Sequence, residues 1–164
     1  MIAREPLVAW SLATFHTVAF VLAVLSFLYA SGGLAGTLIG LNTVVGFGAF
    51  LALWMTTRFT TRRALAGGLR ITEGPDDFMR QALRWGAVNA WLFLVILVVA
   101  GVLAVPFVTP AGGLATVVFV VAFGIIATPF ALIIGAVVGA IFGAIDAVLM
   151  SVAASIVRGC LGPP

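Results

Sequence analysis

The chain carries few side chains suited to chemistry in water. Its 164 residues include no lysine, one cysteine, one histidine and five acidic residues. The lone Cys160 excludes an intrachain disulfide, and no spacing of His, Cys, Asp and Glu is typical of a metal site. Patterns typical of catalytic nucleophiles, nucleotide-binding loops and zinc proteases are missing too. We therefore expect a protein that is not an enzyme and that holds no metal and no cofactor.

Charge is also scarce: 8% of the residues are charged, 63% are hydrophobic, and the mean hydropathy is +1.30. About a quarter of the residues of a water-soluble domain are charged. A chain this apolar could not cover its surface in water, and a lipid bilayer is the environment that accepts it. Residues 1–164 are therefore expected to form a single all-α, multi-spanning membrane domain. The net charge of +3 comes from arginines beside apolar runs, where positive charge sets membrane topology. The expected partner is the lipid bilayer and not nucleic acid, and arginine use without lysine suggests a GC-rich prokaryotic genome.

Four apolar segments are predicted to span the bilayer, at residues 7–30, 37–55, 85–108 and 114–157. The last segment is long enough for two spans, and Pro129 lies near its middle. We favour four spans with a long last helix kinked near Pro129, and five spans are the alternative. FLYASGGLA and FVTPAGGLA align at an offset of 80 residues, which suggests two parallel hairpins, although turn chemistry alone would also produce this match.

Residues 56–84 are the only long polar stretch, with six arginines and three acids. Arginine-rich loops stay on the cytoplasmic side, so we expect a cell-membrane protein whose N-terminus and middle loop are cytoplasmic. Within this loop, GPDDFMRQALRW has the pattern of a short amphipathic helix on the membrane surface. It is interpreted as an anchor, or else as a docking site for a soluble partner or for anionic headgroups.

The C-terminal helical segment, residues 135–158, contains the run GAVVGAIFGAID. At about 100° per residue, glycines every fourth position share one helix face with Asp146. Small residues let helices approach closely in lipid, which predicts a glycine-zipper packing seam, either within the chain or between copies. Its predicted members are Ala131, Gly135, Gly139, Gly143 and Ala153. Whatever packs on this face is expected to cover Asp146 as well.

One acidic residue, one histidine and two asparagines interrupt the apolar segments. Asp146 is interpreted either as structural, bonded to Ser151, Ser155 or another helix, or as an ion-handling group. His16, Asn42 and Asn89 are expected to make polar contacts between helices. Axial haem ligation by His16 is a remote alternative, because a second histidine would have to come from a partner subunit.

The sequence predicts a packing or accessory subunit, working as a homo-oligomer or with other membrane subunits through the glycine-rich seam. The alternative is a small ion or proton channel or transporter that uses Asp146. A third and more distant hypothesis is a haem-bearing membrane anchor.

Overall fold

The computed structural model describes residues 5–40, 42–66, 74–108 and 113–161, and these are helical apart from two short turns. The five helices of the described residues are α1 (Glu5–Ala30), α2 (Leu34–Gly40), α3 (Thr43–Ala66), α4 (Gly74–Val108) and α5 (Gly113–Leu161). The all-α prediction is confirmed. Three helices contain stretches long and apolar enough to cross a membrane, at Leu7–Ala30, Asp77–Phe107 and Gly113–Leu149.

The first helix ends in a tight turn. Gly32 has a φ of 73°, a left-handed conformation that a side chain disfavours. The amide of Ser31 still donates to the carbonyl of Phe27 at 2.9 Å, and the amide of Gly32 donates to Tyr29 at 3.1 Å. This glycine C-terminal cap stops α1 and reverses the chain into α2.

The predicted second span, residues 37–55, is divided between two helices. The short α2 ends at Gly40, and Asn42 caps α3 because its side-chain Oδ1 accepts a hydrogen bond from the amide of Val44 at 2.9 Å. Glycine is a poor helix former and asparagine is a favoured N-cap, so the chain breaks here and restarts. This segment is not among the three spanning stretches.

Much of the stretch predicted as a loop with a short amphipathic helix, residues 56–84, is helical in the described part of the chain. Residues 56–66 continue α3, and residues 74–84 are the first turns of α4. Gly74-Pro75-Asp76-Asp77 suits a helix start, because proline fits the first turn and acids favour the positive end of the helix dipole. The residues of the expected amphipathic helix, which the sequence places directly before the third predicted span, are continuous with that span in α4.

The C-terminal run forms one helix, so the five-span alternative is wrong. α5 extends over 49 residues, with Pro129 inside it. Proline removes one backbone donor, but a membrane helix tolerates that loss. At 1.5 Å per residue α5 is about 74 Å long, well beyond the roughly 30 Å hydrocarbon core of a bilayer.

The helices pair as two hairpins. α4 and α5 make the most extensive contact, α1 packs on α3, and α3 links the hairpins through α4. Interior positions are filled mainly by small side chains, and large apolar side chains point outward. The buried described side chains are Ala9, Ala13, Thr17, Thr56, Thr57, Thr60, Ala64 and Val105.

Candidate functional site: the glycine seam and the His16–Asp146 pair

The glycines of α5 lie against α4 in the same chain. A Cβ added at Gly139 would collide with the carbonyl oxygen of Ala82 and lie 2.8 Å from Cα of Gly86. A Cβ added at Gly86 would in turn lie 2.6 Å from Cα of Gly139. All three obstacles are backbone atoms, which do not move aside as the end of a flexible side chain does. Only glycine fits at this crossing.

The close approach continues along both helices. A Cβ at Gly143 would lie 2.6 Å from Cβ of Ala82, and one at Gly135 would collide with Cβ of Ala90. Towards the other end, Gly124 lies against Val98. We call the contact of Gly135, Gly139 and Gly143 with Ala82, Gly86 and Ala90 the glycine seam.

The α4 side of the glycine seam was not singled out from the sequence. Ala82, Gly86 and Ala90 recur every fourth residue, as the glycines of α5 do. The same signal occurs in α1, where Ala9, Ala13 and Thr17 are almost fully buried. Four-residue spacing of small residues thus marks a packed face on each of these helices.

His16 and Asp146 meet across two helices that are distant in sequence. His16 Nε2 lies 3.2 Å from Asp146 Oδ1, and the two side chains are 15% and 17% exposed. The ring of Phe142, one turn before Asp146, lies 4.6 Å from the imidazole between centroids. The Asp146 carboxylate therefore contacts α1, whereas the adjacent glycines of α5 face α4. The carboxylate and the glycines are covered by different helices.

Together, an imidazole and a carboxyl group can hold one shared proton with no net charge. That state is the least costly in an apolar setting, because an isolated charge at the bilayer centre costs about 2.5–3.5 kcal/mol on insertion scales. Histidine is also the side chain that most readily changes protonation near neutral pH. The described residues include no group of three or more potential metal ligands, so this is a two-residue site. A haem iron at Nε2 would have to displace Asp146.

A second polar region lies between α3 and α4. Asn89 Nδ2 donates to Thr57 Oγ1 at 3.1 Å. Thr60 Oγ1 bonds to the carbonyl of Thr56 at 3.0 Å, within its own helix. Such backbonding lets threonine be buried in an apolar bundle. Asn89 Oδ1 in this region and Thr17 Oγ1 on α1 are buried without a hydrogen-bond partner in the described part of the chain, so each could accept a further hydrogen bond.

A profile of a family of unknown function (DUF7965) matches residues 5–162, nearly the whole chain. The chain belongs to this family. No curated protein and no solved structure matches the sequence. The DUF7965 match thus covers every element of both hairpins without assigning a role to any residue.

The other predicted site residues of this DUF7965 chain are placed as follows. Asn42 is exposed and caps α3, so its described side-chain bond is local and not between helices. Asn89 does bond across helices, to α3. Ala131 is half-buried on α5. The side chain of Ala153 lies outside the described residues, and Ser151 and Ser155 bond to carbonyls of α5 itself.

Proposed function

We propose that the chain is a cell-membrane protein that takes up and releases protons at the His16–Asp146 pair, as a small proton channel or transporter or as part of one. The 3.2 Å contact between these side chains is the observation that carries the proposal. Ionisable residues in membrane spans are costly, and by default they mark ion or proton pathways. Both residues lie within stretches apolar enough to span the bilayer.

A role as a packing or accessory subunit ranks second. The glycine face that motivated it packs on α4 of the same chain, so it is not free for a partner. What favours this role is a shallow groove on the outer side of α1, flanked by the exposed rings of Trp10 and Phe15 and the exposed Leu22. A homo-oligomer or a complex with other membrane subunits would be held through this face.

Proton flux into liposomes tests the first proposal. Purified protein is reconstituted with a pH-sensitive dye inside the vesicles, and a pH gradient is imposed. Asp146→Asn and His16→Gln keep the size and much of the hydrogen-bonding capacity of each side chain while removing its ability to exchange a proton. Each variant is expected to reduce flux about 100-fold or more, the range in which a positioned proton-transfer group contributes.

Asp77→Asn is the matched control, because Asp77 is an exposed acid in the first turns of α4. It should leave the flux unchanged. Equal flux in the wild type and in both pair variants would refute proton handling at this site. A wild-type chain that carries no flux, but retains other membrane chains through gentle detergent extraction, would favour the accessory role.

A further inference from the structure

Five exposed arginines gather where α3 ends and α4 begins. Arg58, Arg62 and Arg63 lie on the last turns of α3, and Arg80 and Arg84 lie on the first turns of α4. We call these five the arginine cluster. All of them are at the same end of the bundle, because α3 and α4 are consecutive and pack on each other.

The Asn89–Thr57 hydrogen bond fixes how the two helices are aligned. Arg62 is five residues beyond Thr57 along α3, and Arg84 is five residues before Asn89 along α4. Because the helices run in opposite directions, both arginines lie about 7.5 Å from the bond towards the same end, at 1.5 Å per residue. Arg63 lies about 1.5 Å further along the axis than Arg62. The backbone positions of Arg62, Arg63 and Arg84 therefore lie at nearly the same level along the helix axes.

The charge of this region is not balanced by its own acids. Residues 56–84 contain six arginines and three acidic residues, a net charge of +3. Within the described residues the one ion pair is His16–Asp146, which is not part of the cluster. Two of the arginines instead lie over aromatic rings: Arg58 is 5.4 Å from the centre of Trp54, and Arg63 is 5.3 Å from the centre of Phe59.

We propose that the arginine cluster is a binding surface for the headgroups of anionic phospholipids. It lies where α4 begins, and the apolar stretch of α4 is long enough to span a membrane, so phosphate groups of the adjoining leaflet would be its nearest anions. A guanidinium group donates two parallel hydrogen bonds to a phosphate, and stacking on a ring leaves its in-plane N–H groups available. Indole and phenyl rings below the arginines suit the same interfacial depth.

Lipid competition in nanodiscs tests the surface. The protein is placed in phosphatidylcholine discs, and its association with a spin-labelled phosphatidylglycerol is compared with that of a spin-labelled phosphatidylcholine. The wild type should prefer phosphatidylglycerol. Arg62→Gln with Arg84→Gln should lower this preference by about 30-fold or abolish it, at about fivefold for each arginine near a charged surface.

Arg4→Gln with Arg158→Gln is the control, since it removes the same charge outside the cluster. It should keep the preference. A wild type without preference, or equal losses in both double variants, would overturn the proposal, because bulk charge attraction would then suffice. Displacement of the labelled lipid by millimolar inorganic phosphate would also overturn it, because the site would then bind the free anion and not a lipid.

Discussion

At the scale of single residues, the sequence showed that polar side chains in apolar runs need partners, but not which residues those partners are. His16 and Asp146 are the only histidine and the only acidic residue inside the four apolar runs, so each required a partner. That each is the other's partner depends on α1 reaching α5, across 130 residues of sequence. Nothing in the local pattern around either residue encodes that contact. Asn89 and Thr57, 32 residues apart, meet for the same kind of reason.

Coupling between His16 and Asp146 should be measurable as stability. We expect His16→Leu and Asp146→Leu each to lower the free energy of unfolding by about 1–3 kcal/mol, because each leaves a half-buried polar group without its partner. The double variant should cost less than the sum of the two, since it removes both groups. Unfolding of the detergent-solubilised protein by SDS, followed by circular dichroism, provides the measurement. Strictly additive losses would show that the two side chains do not interact.

At the scale of helices, spacing of small residues is the pattern that carried most information. The glycines of α5 predicted a close contact, and the sequence left open whether the contact lay within the chain or between copies. Ala82, Gly86 and Ala90 give the same signal on α4 and would have pointed to a contact inside the hairpin. Helix boundaries were predicted less well. The arginines of residues 56–66 favour a polar loop, but alanine, leucine and arginine are also strong helix formers, and these residues continue α3.

The glycine seam should tolerate no larger side chain. Gly139→Leu places a branched side chain against the backbone of α4, so the free energy of unfolding should fall by about 1–3 kcal/mol or more, as for other overpacked sites. Gly48→Leu is the matched control, because a Cβ at Gly48 meets nothing within 4 Å. It should change stability by less than about 0.5 kcal/mol. The same SDS titration compares the two, and equal effects would argue against a tight α4–α5 contact.

For the whole molecule, composition was sufficient to predict an all-α membrane protein, because a chain with so few charged residues cannot cover a surface exposed to water. The number of membrane crossings was harder to predict from the sequence. In the described part of the chain three helices are long and apolar enough to span a membrane, while the segment expected as the second span falls in two helices, one ending at Gly40 and the other beginning at Thr43. A helix break depends on the weak preferences of a few residues, whereas the hydropathy of a span is summed over about 20 residues. Helix breaks are therefore harder to predict from sequence than apolar spans.

We predict that the split segment carries the chain back across the bilayer. Trp54 Nε1 donates to Thr14 Oγ1 at 3.0 Å, which sets α3 alongside the first half of α1, and the Asn89–Thr57 bond sets the end of α3 beside the start of α4. If α1 crosses outward, α2 and α3 together must return, and the arginine cluster then lies on the cytoplasmic side with the N-terminus.

Cysteines introduced one at a time in a Cys160→Ser background test this topology. Arg70→Cys should react with a membrane-impermeant maleimide only from the cytoplasmic face, and Ala111→Cys only from the opposite face. Labelling of both from the same face would mean that α4 does not cross, and labelling of Arg70→Cys from outside would mean that α3 does not return.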